Sequence, residues 1–234
     1  MTVQLLAVTY DAHDPARLAR FWGGMLRRDA IEDGDGLLLP GTPTQVGLRF
    51  VPGEPAKEHL NRLHLHLTSA SLEHQRDTVA AAVAIGAEHV DVGQLPEDGH
   101  IVLADPAGNL FCVIEPGNNY LAGCGFFAEL ACDGTRDVGL FWSEALGWPL
   151  VWNQNEETAI QSPLGGTKVA WGGPPVAPKT VRNTQRFLLA APDTELRTEI
   201  DRLVSLGASL MSADEDGSFE LADPDGNEFG VRRA

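Results

Sequence analysis

The chain repeats itself, and this constrains its fold more than any other feature. Ala104-Asp105-Pro106-Ala107-Gly108-Asn109-Leu110-Phe111-Cys112-Val113 recurs as Ala222-Asp223-Pro224-Asp225-Gly226-Asn227-Glu228-Phe229-Gly230-Val231, seven of ten positions being identical at an offset of 118. Phe21-Trp22 recurs as Phe141-Trp142 at an offset of 120. Ile85-Gly86-Ala87 answers to Leu206-Gly207-Ala208, and Lys57 with Asn61 answers to Lys179 with Asn183. The landmarks keep their order, so the 234 residues divide into two copies, 1–118 and 119–234, joined at the turn-rich Pro116-Gly117-Asn118-Asn119. Each copy is expected to carry its own helix pair and its own curved sheet, while whether the cups form within or between the two copies stays open.

Two helices are legible in each copy. Asp14 can cap the first with Pro15 at its first position, and Leu18, Phe21, Trp22 and Met25 then fall at i, i+3, i+4 and i+7. Val138, Phe141, Trp142 and Ala145 are the matching face. The second helix runs from Ser71 to a stop at Gly86, matched by Thr194 to Gly207 with Leu196, Ile200, Leu203 and Val204 on one side. Strand signals lie at Val3–Tyr10, Leu37–Leu39, Val46–Val51, Leu63–Thr68, Val90–Val92, Ile101–Ala104 and Phe111–Glu115. Asp105-Pro106-Ala107-Gly108-Asn109 turns the last two into a hairpin, because Pro presets φ and Gly accepts a positive one. Each copy therefore reads β-α-β-β-β twice. The fold class is α+β: helices cover one face of each sheet and leave the other to line a cup.

Charge decides which partners such a cup can have. Thirty-three acids against 17 bases leave −16, a surface that repels phosphate backbones and anionic lipid. Neither a nucleic acid nor a membrane is expected as a partner; a small molecule is, and a homodimer stays open. No apolar run spans a bilayer, the N-terminus lacks a signal-peptide layout, and Cys112, Cys124 and Cys132 are too few and odd in number for a disulfide framework. A cytoplasmic protein is expected.

The Phe-Trp helix, the Gly-Ala helix end, Asn61-Arg62-Leu63-His64-Leu65-His66-Leu67 and the Asp-Pro-x-Gly-Asn hairpin together resemble the vicinal oxygen chelate superfamily. That group includes glyoxalases, bleomycin-resistance proteins and extradiol dioxygenases, and the likeness is to its glyoxalase-like domain branch, twice in tandem. The resemblance implies two glyoxalase-like domains, each a pair of β-α-β-β-β units with a cup-forming sheet. It also implies positions for a divalent metal's ligands. In the first copy these fall near Ala7, Leu48, His64 and Cys112, and in the second near Phe127, Gln185 and Gly230. Only His64 matches the usual ligand set.

His64-Leu65-His66 is the best local motif for chemistry, since residues two apart on a strand share a face. Two such imidazoles can share a metal if a third ligand arrives, for which Cys112 is a candidate on a neighbouring strand and Glu129 another if the two halves close over one another. Trp152 and Trp171 lie in strand signals where they could face a cup and suit an apolar or aromatic ligand. The expected ligand-binding set is thus His64, His66, Cys112, Glu129, Trp152 and Trp171, centred on the first copy, with no cofactor. A protonated His64 would favour an anionic or phenolic ligand. The counterparts of His64, His66 and Cys112 in the second copy fall at about Gln185, Phe187 and Gly230. Asp105 and Asp223 are explained by their turns. The function expected is binding or sequestering a small apolar or aromatic molecule. The alternative is a metal-dependent lyase, isomerase or dioxygenase using His64 and His66.

Overall fold

A computed structural model describes residues 3–54, 61–192, 195–214 and 217–234. Lys57, Pro55 and Thr194 lie outside them. The chain forms four successive β-α-β-β-β units. The first holds β1 (Gln4–Ala12), α1 (Pro15–Leu26), β2 (Ile31–Asp33), β3 (Gly36–Leu39) and β4 (Gly47–Pro52). The second holds β5 (Leu63–Leu67), α2 (Leu72–Ala84), β6 (Glu88–His89), β7 (Ile101–Ala104) and β8 (Leu110–Val113). The third holds β9 (Phe127–Cys132), α3 (Arg136–Leu146), β10 (Leu150–Gln154), β11 (Glu157–Gln161) and β12 (Lys168–Trp171). The fourth holds β13 (Gln185–Ala191), α4 (Leu196–Ser205), β14 (Ser209–Ala213), β15 (Phe219–Ala222) and β16 (Glu228–Arg233). The short β2 went unread in the sequence, and Val90–Val92 is not a strand; its place is taken by β6. Among the described residues no helix is long and apolar enough to cross a membrane.

The helices form for the reasons the sequence offers. Asp14 Oδ1 accepts from the Arg17 N–H at 2.8 Å, Pro15 opens α1, and Leu18, Phe21, Trp22 and Met25 are buried. Thr135 caps α3, which buries Val138, Phe141, Trp142 and Ala145. On α4 the face shifts by one residue: Leu196, Ile200 and Leu203 are buried, but Val204 is exposed and Glu199 turns inward to pair with Arg202.

The expectation of one sheet per copy is overturned. One eight-stranded sheet runs β14-β15-β16-β13-β1-β4-β3-β2 and the other β10-β11-β12-β9-β5-β8-β7-β6. The outer units therefore share one sheet and the two inner units the other. The first strand of each unit pairs antiparallel with the first strand of a unit from the other copy, Thr9 opposite Arg186 and His66 opposite Glu129. The physical reason is the repetition itself. Every unit's first strand has one edge occupied by its own last strand and one edge open, so near-identical copies offer near-identical partners.

What binds the two units of one copy is the helix core. Trp22 of α1 packs edge-on against Phe111 of β8, ring centres 5.1 Å apart, and its Nε1 donates to Asp105 Oδ2 at 3.0 Å. Trp142 of α3 repeats this with Phe229 at 4.9 Å and Asp223 at 3.2 Å. Sheet contacts and tryptophan contacts thus alternate around a ring of four units. Asp105 and Asp223 also accept from the N–H groups of their own turns, as expected of them. Burial raises both carboxyls, Asp223 to about 6.

Replacing the indole should loosen the ring. Trp22→Phe and Trp142→Phe are each expected to destabilise the protein by at least about 1–3 kcal/mol, because a buried carboxylate loses a donor and the smaller ring leaves a gap. Chemical denaturation measures this, and no loss in either variant would show that the pairs are incidental.

Candidate functional site

Both sheets turn a polar face away from the helices, and the two faces differ. On β5, Leu63, Leu65 and Leu67 are buried in the core while His64 and His66 project the other way. The register sets Cys112 on one side of His66 and Glu129 on the other, so thiol, imidazole and carboxylate form a row across three adjacent strands. His66 Nδ1 lies 2.6 Å from Glu129 Oε2, and the His64 and His66 rings are 4.8 Å apart. Among the described residues, the donor atoms of His64, His66 and Cys112 form one group within 4.8 Å.

The two imidazoles differ in charge. Burial works against a charge on His66, but its contacts with Cys112 and Glu129 outweigh it and raise this histidine to about 9. Burial, followed by the charge of His66, lowers His64 to about 4. The protonated imidazole is therefore His66 and not His64, because only His66 touches the carboxylate.

This cup is filled by the chain. The connection between β8 and β9 folds over it, and Leu121 and Cys124 join Val102, Cys112, Ile114 and Ala128 in a separate apolar cluster against which Tyr120 packs. Trp152 stands at the rim, 6.1 Å from the Tyr120 ring and donating to Glu157. Trp171 is not part of it. It lies on the opposite face of β12, 2% exposed in the helix core, because the strand's alternation puts Lys168 and Ala170 toward the cup.

The second cup, on the β1/β13 sheet, is open. A cavity of about 980 Å³ is bordered by Thr9, Arg49, Arg186, Leu188, Gly230 and Arg232 among others. Thr9 sits in register between Arg49 and Arg186, whose side chains are only 15% and 10% exposed. Arg186 grips Asp11 with two bonds of 2.7 and 2.6 Å. Arg49 and Arg232 share Asp33, at 2.6 and 2.8 Å, which ties the two ends of the chain across the cup. Burial alone would raise the Asp33 carboxyl, but bonds from Arg232 and then Arg49 hold it below the usual range.

These arginines escaped the sequence reading by one residue. Phe111 is registered with Leu65, and its repeat Phe229 with Phe187, so the counterparts of His64 and His66 are Arg186 and Leu188, not Gln185 and Phe187. A slip of one residue exchanges the two faces of a strand. Leu48, Phe127 and Gln185 accordingly face the core. The Asn61/Asn183 landmark carried the right register: both asparagines donate to equivalent hairpin residues, Asn109 and Asn227, at 2.9 and 3.0 Å. By the same matching, Glu129, Lys168 and Cys112 of the covered cup become Ala7, Gly47 and Gly230 on the other sheet, of which Gly230 borders the cavity.

The split histidines generate a pH signature. His66 binds its proton more tightly folded than unfolded, so its contribution is complete below about 6.5 and is lost as pH rises toward about 9. His64 resists protonation, so its contribution is present above about 6.5 and is lost as pH falls toward about 4. NMR titration of the metal-free protein, with the seven histidines assigned, is expected to place the His66 transition near 9 and the His64 transition near 4. Transitions of His64 and His66 themselves near the ordinary value would contradict the arrangement.

Known proteins agree with this geometry at the level of fold. Glyoxalase I from Zea mays superposes with a TM-score of 0.63 at 10% identity, over 99% of this chain and 92% of that one. A putative dioxygenase from Bacillus subtilis subsp. subtilis str. 168 gives 0.64 at 11%, over 98% and 84%. No curated protein matches the sequence significantly. The glyoxalase-like domain model matches twice, at residues 7–114 and 127–232. Matched along nearly its whole length in two tandem copies, the chain belongs to the glyoxalase-like domain family.

Proposed function

We propose that the protein binds or sequesters a small polar molecule bearing an acidic group in the open cup between its first and last units. The observation that carries this reading is the cavity of about 980 Å³, at the upper end of the roughly 300–1,000 Å³ usual for small-molecule sites. The ligand differs from the apolar or aromatic one expected, because arginines and Thr9 border this cavity where tryptophans were looked for. Within the better-buried groups, Arg49 and Arg232 share the one carboxylate of Asp33, while Asp35, the other partner of Arg49, is 73% exposed and screened. Asp11, Asp35, Asp214 and Glu220 line the same cavity, so charge is nearly balanced, and it is the guanidinium N–H groups of Arg49 and Arg232 beyond those that Asp33 accepts that suit a carboxylate or similar anion, held by charge-assisted bonds. The three cysteines are free, which supports a cytoplasmic location.

A second reading is favoured by the grouping of His64, His66 and Cys112 donor atoms. With Glu129 orienting His66, this set suits a thiophilic divalent ion such as zinc, whose chemistry when bound would be that of a Lewis acid. The chain's own residues would then place two imidazoles and a thiol at one point, and Glu129 would hold the His66 tautomer.

Two measurements separate these readings. A thermal-shift screen of small carboxylates against the purified protein should find stabilising compounds. Their affinity should fall about tenfold or more in Arg232→Ala, a change that leaves Asp33 paired with Arg49. Undiminished affinity would remove the arginine site. Metal analysis of untagged protein should find less than about one equivalent per chain. Stoichiometric zinc, nickel or iron surviving dialysis would instead promote the enzyme.

A further inference from the structure

The two copies end their sheets differently. In the first copy the edge strands are β2, which carries Glu32 and Asp33, and β6, which carries Glu88 and is only two residues long. Charge and shortness keep an edge strand from pairing with another chain. In the second copy the edges are β10 and β14, and neither carries a charge. On β10, Trp152 already rests on Tyr120 and donates to Glu157. β14 has no such cover. All five of its residues, Ser209 to Ala213, are exposed, and among the described residues no strand lies beyond it.

This edge is an unfinished rim of the core. Leu210 is registered opposite Leu221, a core residue, so both lie on the helix-covered face. Leu221 has a strand on either side and is fully buried, whereas Leu210 has one neighbour and is 44% exposed. Val204 and Leu206, where α4 leads into β14, are exposed too, and Met211 is 59% exposed. The extra residue Met211 makes a bulge between Leu210 and Ser212, which confines any further pairing to a short contact.

An open row of backbone N–H and C=O groups takes a strand, and charge selects whose. Two copies of a chain of net charge −16 repel one another, so a self-contact has to be uncharged, as this edge is. A basic partner would be drawn to the acidic remainder of the surface instead. We propose that the protein forms a homodimer edge to edge through β14, merging two eight-stranded sheets into one continuous sheet. A two-fold axis at Leu210 sets that leucine against its own copy, and each Asp214 then faces Leu206 of the partner subunit rather than a like charge. The contact is separate from both cups, so it can fail without the ligand reading failing.

Sedimentation equilibrium of the full chain at about 0.1 mM, a concentration suited to a contact of modest area, is expected to show a dimer that tightens as salt screens the two net charges. Leu210→Lys and Leu210→Glu should each weaken dimerisation at least about tenfold, by losing apolar contact and opposing like charges. Mixing the two variants should restore it, because the axis then opposes Lys to Glu. A monomeric wild type overturns the proposal, as does association that salt weakens, a dimer that both variants retain, or a mixture that stays monomeric. Circular dichroism checks that the variants fold. If either does not, amide exchange of residues 209–213 in the wild type decides: protection that grows with protein concentration supports the contact, and protection independent of concentration overturns it.

Discussion

Everything in the two cups depends on which first strands lie side by side. The antiparallel pairing of β1 with β13 and of β5 with β9 brings residues 175 or 63 positions apart into one row, as Asp11 with Arg186 and His66 with Glu129 show. Had each copy closed its own sheet, Glu129 would stand on a different sheet from His66, and Arg186 on a different one from Thr9 and Arg49. The buried indole–carboxylate pairs make the cross-copy choice sustainable. With Trp22 on Asp105 and Trp142 on Asp223, the two units of a copy stay joined through their helices and leave their open strand edges for the other copy. Two kinds of contact, alternating around four units, give a closed ring with a cup on each sheet.

Gene-level duplication usually suggests duplicated function, but the cups have diverged in volume and charge. Where the inner sheet carries Glu129, Lys168 and Cys112, the outer sheet carries Ala7, Gly47 and Gly230, and its cavity is bordered by arginines and their carboxylate partners. In a chain of net charge −16 these arginines have local carboxylate partners, yet Asp33 is shared by two of them. A dispersed acidic surface repels polyanions at long range, while a single small acid can still be held at close quarters.

Much of this was legible in the sequence, and what was not has identifiable causes. The four units, the Phe-Trp helix faces, the caps at Asp14 and Ser71 and the hairpin turns are local, and local periodicity reports them. The face of His64 and His66 was legible for the same reason. The partner of each sheet was not, because repetition makes the alternatives degenerate. Glu129 was nevertheless reachable as a candidate, on the condition that the two halves close over one another, which the β5/β9 pairing meets. Trp171 was misplaced and Arg49, Arg186 and Arg232 were passed over for one shared reason: a strand signal without its register leaves the face undecided, and a slip of one residue turns Arg186 into Gln185. An arginine between apolar residues, as in Gly47-Leu48-Arg49-Phe50-Val51, was the available signal.

The central claim is that the chain builds its ligand cavity between its first and last units. The most direct measurement is a crystal structure of the protein as purified, without added metal, soaked with a carboxylate that raises its melting temperature. The account predicts ligand density on the β1/β13 sheet within hydrogen-bonding distance of Arg49, Arg186 or Arg232. Density for that carboxylate on the His64 and His66 side, with the arginine cup filled by water alone, would contradict it.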